Sequence, residues 1–438
     1  MNSIHFITLG CSKNEVDTSQ MQSILDSKKY IITNNVNDAN VIIINTCGFI
    51  DAAKEESVDT IIEAAKYKDV GKCKKLILAG CLAQRYSKEL MEEIPEVDAI
   101  LGTGNIININ NILDSAFNGE RIVKVDNIND KYIEGIKKSK VSVTEYVKIS
   151  EGCNNNCTYC IIPKLRGRNR SRKIEDIYDE VKYLVNNGTR EVILIAQNTT
   201  DYGIDNYKEY KLKDLVKKLS EIKDLKWIRL MYLYPDNFTD ELIDEFKNND
   251  KLLNYVDIPL QHISDNILSK MNRKTNRNNI SELLFKLRNN IPNIIIRTTF
   301  IVGFPGEENS DFNELNEFIE ENKFDKLGAF IYSREEDTPA FNMNNQIQEN
   351  VKQKRLDILM STQISISENK LSSNIGNILE VLIEEIADNE TYVGRSYMDA
   401  PEIDGVVYVK SKNNLKIGSF YNVKITDYLE YDLIGDAI

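Results

Sequence analysis

Apolar residues in the first hundred positions come in short runs, separated by stretches where they recur every three or four residues. Runs at 4–9, 41–44, 75–79 and 99–101 predict strands, and stretches at 16–27, 51–66 and 87–93 predict helices between them. That alternation predicts an α/β domain with an open parallel sheet. Residues 119–139 turn polar, with Gly119, Gly135 and a Lys-rich KKSK, and predict a linker. A second alternating region has strands near 144–149, 192–195, 227–232, 255–258, 294–301 and 326–331. Its helices are expected at 174–186, 212–222, 239–247, 280–289 and 310–321. Six βα units make a partial barrel, whose active site is expected at the carboxyl ends of the strands. A charged helical stretch at 348–371 leads into strand-like runs at 377–383, 391–396, 405–410 and 421–426, which predict a small β-barrel or sandwich. The expected units are therefore residues 1–118, a linker at 119–139, a partial barrel at 140–370 and a β-barrel at 371–438.

The cysteines fall where this architecture places ligands. Cys153, Cys157 and Cys160 stand in EGCNNNCTYCIIP, just after the first barrel strand. Three thiolates hold three irons of a 4Fe-4S cluster and leave the fourth open. Structural zinc closes on four ligands, and no fourth Cys or His follows within reach, so the spacing favours iron. An open iron can bind the amine and carboxylate of S-adenosylmethionine (SAM) and pass it one electron, which breaks a carbon-sulfur bond and yields a 5′-deoxyadenosyl radical. Cys11, Cys47 and Cys81 each come two or three residues after a predicted strand, in LGCSKN, NTCGF and AGCLAQ. Open α/β sheets gather ligands outside the carboxyl ends of their strands. Small buried residues at strand ends are the plainer reading, but the threefold repetition favours a second three-thiolate site. Cys73, in the polar KDVGKCKK, reads as exposed and spare.

Composition narrows the class. Seven cysteines is an odd number, and MNSIHFITLG leads into no apolar core, which argues against a secreted disulfide framework and for the cytoplasm. No run of about 18 apolar residues occurs, which excludes a spanning helix and predicts no membrane partner. A formal net charge of −13 argues against a general nucleic-acid binder. His5 and His262 are the only histidines, too few for an ordinary hydrolase triad, and VGFPGE at 302–307 is a tight turn without the lysine of a phosphate loop.

The CNNNCTYC run resembles that of the radical SAM superfamily. Together with the amino-terminal three-Cys domain and a TRAM-like terminal barrel, it makes essentially the whole chain resemble the methylthiotransferase family. LGCSKNEVDT at 9–18, DIPLQHIS at 257–264, RTTFIVGFPGE at 297–307, YSREEDTPA at 332–340 and above all GRSYMDAPEIDG at 394–405 resemble the branch acting on ribosomal protein S12. The resemblance implies two 4Fe-4S clusters, one on Cys153, Cys157 and Cys160 with the catalytic role, the other on Cys11, Cys47 and Cys81. It implies SAM as cosubstrate and a methylthio group placed on the β-carbon of an S12 aspartate, giving 3-methylthioaspartate. A flavodoxin or ferredoxin is the implied electron donor. Carried over from the superfamily, Tyr159 lies against adenine, Gln197 and Asn198 contact the methionine part of SAM, and Arg297 is a further SAM contact. The alternative within the family is a tRNA methylthiotransferase acting on a modified adenosine near the anticodon. A non-catalytic iron-sulfur carrier is the rival from another class, but such carriers normally saturate each cluster with four cysteines.

Two charge features bear on the partner. Residues 371–438 hold twelve acidic and five basic residues, a net −7 that repels phosphate and attracts a basic protein, with Asp399, Glu402 and Asp404 expected on the exposed face. KLRGRNRSRK at 164–173 has six basic residues in ten. It is open to three readings: contact with RNA, a hold on the carboxylates of SAM and the substrate aspartate, or a solvated stretch.

Overall fold

In the computed structural model, which describes residues 1–129 and 134–438, the amino-terminal sheet has six parallel strands. They are β1 (Asn2–Thr8), β2 (Tyr30–Ile32), β3 (Val41–Thr46), β4 (Lys75–Ala79), β5 (Val97–Leu101) and β6 (Ile122–Lys124), in the order β2-β1-β3-β4-β5-β6. Every residue of the central β3, VIIINT, is buried, as a strand covered by helices on both faces requires. The edge strands β2 and β6 have three residues each, too short for a periodicity to register. The linker expected at 119–139 needs correcting, because β6 lies inside it and pairs with β5. Residues 130–133 of that stretch lie outside the described residues.

The second sheet starts with β7 (Thr144–Lys148), followed by an antiparallel ribbon of β8 (Ser150–Glu151) and β9 (Arg170–Ser171) that closes the neck of the cysteine run. It continues through β10 (Glu191–Ile195), β11 (Trp227–Leu230), β12 (Leu252–Asp257), β13 (Ile295–Val302) and β14 (Lys326–Ile331). The order β14-β13-β12-β11-β10-β7, all parallel, is a six-unit barrel left open between β14 and β7. Alternate residues such as Val192, Leu194, Ile228 and Ile296 bury against the outer helices. Their neighbours along each strand face the lumen.

The helix Glu349–Ser372 leads to β15 (Ile378–Ile386), β16 (Thr391–Arg395), β17 (Val407–Lys410), β18 (Phe420–Tyr428) and β19 (Leu433–Ala437), which close a barrel in the order β15-β16-β17-β19-β18. Closure decides between barrel and sandwich, and it depends on β19, which the apolar pattern did not announce. Among the described residues no helix is long and apolar enough to cross a membrane.

The terminal barrel plugs the lumen from the amino-terminal ends of the strands. Glu191, Trp227, Ile295 and Lys326 each open their strand and each meet it. Fully buried Glu191 pairs with Arg229 at 2.9 Å and with Arg395 of the terminal barrel at 2.6 Å. Lys326 pairs with Asp399 at 2.8 Å, and the Tyr255 hydroxyl donates to Asp404 at 2.7 Å. The expectation that Asp399 and Asp404 face a basic partner is therefore overturned: both carboxylates are buried at this internal joint, and only Glu402 of the three is exposed.

Candidate active site

Cys11, Cys47 and Cys81 follow β1, β3 and β4, three neighbours in the sheet, so parallel pairing carries all three thiols to one edge. Gly10, at φ +90°, makes the turn into Cys11; a Cβ there would lie 2.8 Å from Cys47 Cβ and 2.9 Å from its Sγ. Ser57 clamps Cys47 from behind, accepting from its N–H at 3.0 Å and donating to its carbonyl at 2.9 Å. The Thr46 hydroxyl donates to Ala79 O at 2.6 Å and accepts from Ala83 N at 3.1 Å, tying the end of β3 to the Cys81 turn. Burial pushes the Cys81 thiol up to about 11; the Arg166 guanidinium pulls against this, while Cys11 and Cys47 push further. The strand order and the tight approach of Gly10 to Cys47 thus gather the three cysteines at one edge of the sheet.

Cys73 is not exposed as expected. It is 6% exposed within the apolar core at the opening of β4, where its thiol donates to Lys75 O at 3.3 Å. A serine can make the same bond. Cys73→Ser should leave the iron content of the reconstituted protein unchanged and cost about 1 kcal/mol in a denaturation midpoint. Loss of a cluster's worth of iron would make Cys73 a ligand.

The other cysteines sit on a loop gathered by the β8–β9 ribbon. Gly152, at φ +82°, lies so close to the returning strand that a Cβ would come within 2.2 Å of Arg168 O. Cys153 N donates to Gly167 O at 3.0 Å and Cys160 N to Cys157 O at 3.1 Å. Burial pushes Cys153 up to about 11 and Cys160 up to about 12, and Cys157 adds to both. The Cys157 sulfur lies 3.8 Å from the Tyr234 hydroxyl, and the Arg273 guanidinium stacks 3.9 Å above that ring. Neither Tyr234 nor Arg273 stood out in the sequence, because only the fold brings them to the loop.

The helix Ile162–Arg166 separates the two cysteine sets. Cys81 packs on Ile161 and Leu165. Arg166, 2% exposed, donates to Asp17 at 2.6 Å and to both Glu151 oxygens at 3.3 Å, and also bonds Asn14. Lys148 completes the group by bonding Asp17 and Glu151. Burial alone would push the Glu151 carboxyl up, but Lys148 and Arg166 outweigh it and hold the group at about 2. Arg172 is likewise buried, paired with Asp176 and with Glu180 at 2.6 Å. The run at 164–173 is thus no continuous basic surface: Lys164, Arg168 and Lys173 are exposed, whereas Arg166 and Arg172 join the fold together.

Comparison with known proteins bears on this pair of sites. A ribosomal protein uS12 methylthiotransferase RimO of Clostridioides difficile is 52% identical over 433 residues, covering 98% of each chain. A protein of the same description from Thermoanaerobacter sp. is 50% identical over the full length of both. The chain belongs to the ribosomal protein uS12 methylthiotransferase family. Residues 147–319 match the radical SAM superfamily, residues 375–438 match the TRAM domain, and residues 3–102 match a family described as uncharacterized protein family UPF0004. The fold is shared with a radical S-adenosylmethionine methyltransferase, TsrM, from Kitasatospora setae, at a TM-score of 0.58 and 11% identity, covering 77% of this chain and 74% of that one. OxsB, a cobalamin-dependent radical SAM enzyme, has a TM-score of 0.52 at 12% identity, covering 84% of this chain and 58% of that one.

The donor sets suit the clusters of a methylthiotransferase. Each set has three thiols and no histidine: His5 bonds Thr33 O, and buried His262 accepts from Ser264 N. Among the described residues no group of three or more His, Cys, Asp or Glu closes on a single metal ion. A lone zinc would draw its thiolates to about 3.8 Å apart, whereas a multi-iron cluster spaces them wider. Tyr159 packs edge-on against Phe304, which packs on Tyr332, an aromatic row beside the cysteine loop. Gln197 accepts from Gly152 N and donates to Glu151, both at 2.7 Å. Asn198 is buried: its Oδ1 accepts from Thr200 Oγ1 at 2.7 Å, and its Nδ2 lies toward Asp201 without, among the described residues, a hydrogen bond of good geometry. Arg297 pairs with Asp257 at 2.8 Å and with Asp404 of the terminal barrel at 3.6 Å, which ties it to the joint between the two barrels.

Proposed function

We propose that this chain methylthiolates the β-carbon of an aspartate in ribosomal protein uS12, using two 4Fe-4S clusters and SAM, and leaves 3-methylthioaspartate. The observation that carries this is the pair of three-thiol sets, each one ligand short, held on either side of one short helix. Cys153, Cys157 and Cys160 would hold the SAM-binding cluster and Cys11, Cys47 and Cys81 the second. When bound, the clusters and SAM supply reductive cleavage strong enough to break an unactivated C–H bond, with sulfur and methyl transfer to follow.

The chain's own residues position and protect. Gln197 couples Gly152, next to the first ligand, to Glu151, and Glu151 to Arg166, so one hydrogen-bonded path spans both sites. Ile161 and Leu165 put an apolar wall beside Cys81, excluding water from reactive groups. Tyr159 offers a face for adenine, and Asn198 Nδ2, turned toward Asp201, a donor.

Cytoplasmic residence follows from a ribosomal substrate, and a flavodoxin or ferredoxin fits the need for single electrons. The acidic surplus that the TRAM domain keeps once Asp399 and Asp404 are spent inside the chain favours a basic protein over RNA phosphate. Mass spectrometry of uS12 from a strain lacking this protein should find the aspartate without its methylthio group, restored by the gene. An unchanged uS12, with a methylthio group missing from tRNA instead, would move the chain to the tRNA branch.

A further inference from the structure

Lys13 is the second residue of the helix Ser12–Ile24 and two positions beyond Cys11. It is 8% exposed, yet among the described residues its ammonium has neither a hydrogen bond nor an ion pair. Its one contact of charge is the ring of Tyr232, with the nitrogen 2.9 Å from the centroid. Glu15, on the same helix, interacts with Lys138 and Glu402 instead. The other buried cations at this boundary, Lys148 and Arg166, are both paired with carboxylates. Unlike those two, the Lys13 ammonium keeps access to solvent and has, among the described residues, no carboxylate of the chain to displace, so an anion can reach it and gain a charge-assisted bond.

The surroundings also favour an anion. Cys11 caps the helix without a side-chain bond, so the first-turn N–H groups add their positive end of the helix dipole. Tyr232 stands just past the carboxyl end of β11 with φ +60°, a left-handed conformation strained for an aromatic residue. Its N–H donates to Asp257 and its carbonyl accepts from Thr199 N, both at 3.0 Å, which hold the ring under Lys13. Ser12 Oγ lies 3.5 Å from its hydroxyl. Lys13 therefore sits where the amino-terminal cysteine edge meets the barrel mouth.

We propose that Lys13 receives the carboxylate of the substrate aspartate, an assignment that rests on the function proposed above. That carboxylate is bonded directly to the β-carbon, so gripping it fixes the carbon to be thiolated within one bond of the anchor. It also gives the site a reason to prefer Asp over Asn, since only the charged group pairs with the ammonium.

The test uses the full chain with both clusters reconstituted, and intact uS12 with its target residue as Asp or Asn. Wild-type protein should bind the Asp form at least about tenfold more tightly in a titration without reductant, and Lys13→Met should lose that preference and raise the KM for uS12 by a similar factor. Iron per chain, the spectroscopic signals of both clusters and SAM affinity should stay at wild-type values, and Lys13→Arg should keep the preference. A Lys13→Met protein that still prefers Asp overturns the inference, as does one that loses iron or SAM affinity instead. Wild-type enzyme that methylthiolates uS12, paired with an equally good Lys13→Met enzyme, sinks the role of Lys13 alone. Wild-type enzyme that leaves uS12 untouched sinks the proposed function and this inference with it.

Discussion

Replacing Cys11, Cys47 and Cys81 by Ala should leave about half of the roughly eight irons per chain, keep reductive cleavage of SAM to 5′-deoxyadenosine, and abolish methylthiolation. Replacing Cys153, Cys157 and Cys160 should also leave about half the iron but stop both reactions. The asymmetry follows from the fold. The second set lies on the loop after the first barrel strand, beside Tyr159 and the buried Asn198, where SAM can be held. The first set stands at the edge of another sheet, behind the Ile162–Arg166 helix. Iron analysis, anaerobic assay with dithionite and mass spectrometry of uS12 read the three outcomes independently. 5′-Deoxyadenosine formed by the variant without Cys153, Cys157 and Cys160 would reverse the roles of the two sites, and a wild-type protein with only four irons would remove one of them.

Arg166→Met should do more damage than any other single change in the basic run. The guanidinium is buried against Asp17, Glu151 and Asn14, and its loss leaves two buried carboxylates to share Lys148. Breaking a buried charge group by removing one member costs about 3–5 kcal/mol. The amino-terminal domain should therefore unfold in a separate, earlier transition, and thiolation should fall on the order of 100-fold, since a shift of about 1 Å in a reacting pair has that effect. Lys164→Met is the matched control: Lys164 is 60% exposed, and its 3.5 Å pairing with Asp337 contributes nothing measurable to stability. If the run served as an RNA-contacting surface, the two substitutions would weaken function alike. Equal effects on thiolation, without an early transition for Arg166→Met, would refute the buried role.

Most of the architecture was legible because parallel sheets leave a strong trace. Strands buried on both faces read as continuous apolar runs, and the six barrel strands fell close to their expected positions for that reason. What went unread was short or edge-located. β2 and β6 have three residues each, β6 lies in a polar stretch, and the five residues of β19, LIGDA, carry Gly435 and Asp436 in place of an apolar run, so these strands depend on hydrogen bonds to β1, β5, β17 and β18. The two cysteine sets were also legible, the one from its local spacing and the other because each member follows a strand.

The residues around the cysteines were not legible. A charge in sequence carries no sign of whether it is buried, and KLRGRNRSRK shows the consequence: Arg166 and Arg172 turn inward to carboxylates while Lys164 and Arg168 face solvent. DAPEIDG likewise read as an acidic surface, yet Asp399 and Asp404 are spent on Lys326, Tyr255 and Arg297 inside the chain.

The sequence by itself therefore determined the metal chemistry and the order of the domains, because thiolate spacing and the period of apolar residues are local properties of a chain. Only the tertiary structure decided which charges are paired, that Arg297 meets Asp257 and Asp404 at the terminal joint, and that Lys13 has, among the described residues, no carboxylate partner. Pairing depends on residues as far apart as Asp17 and Arg166 or Arg297 and Asp404, and no local pattern records a contact made across that much chain.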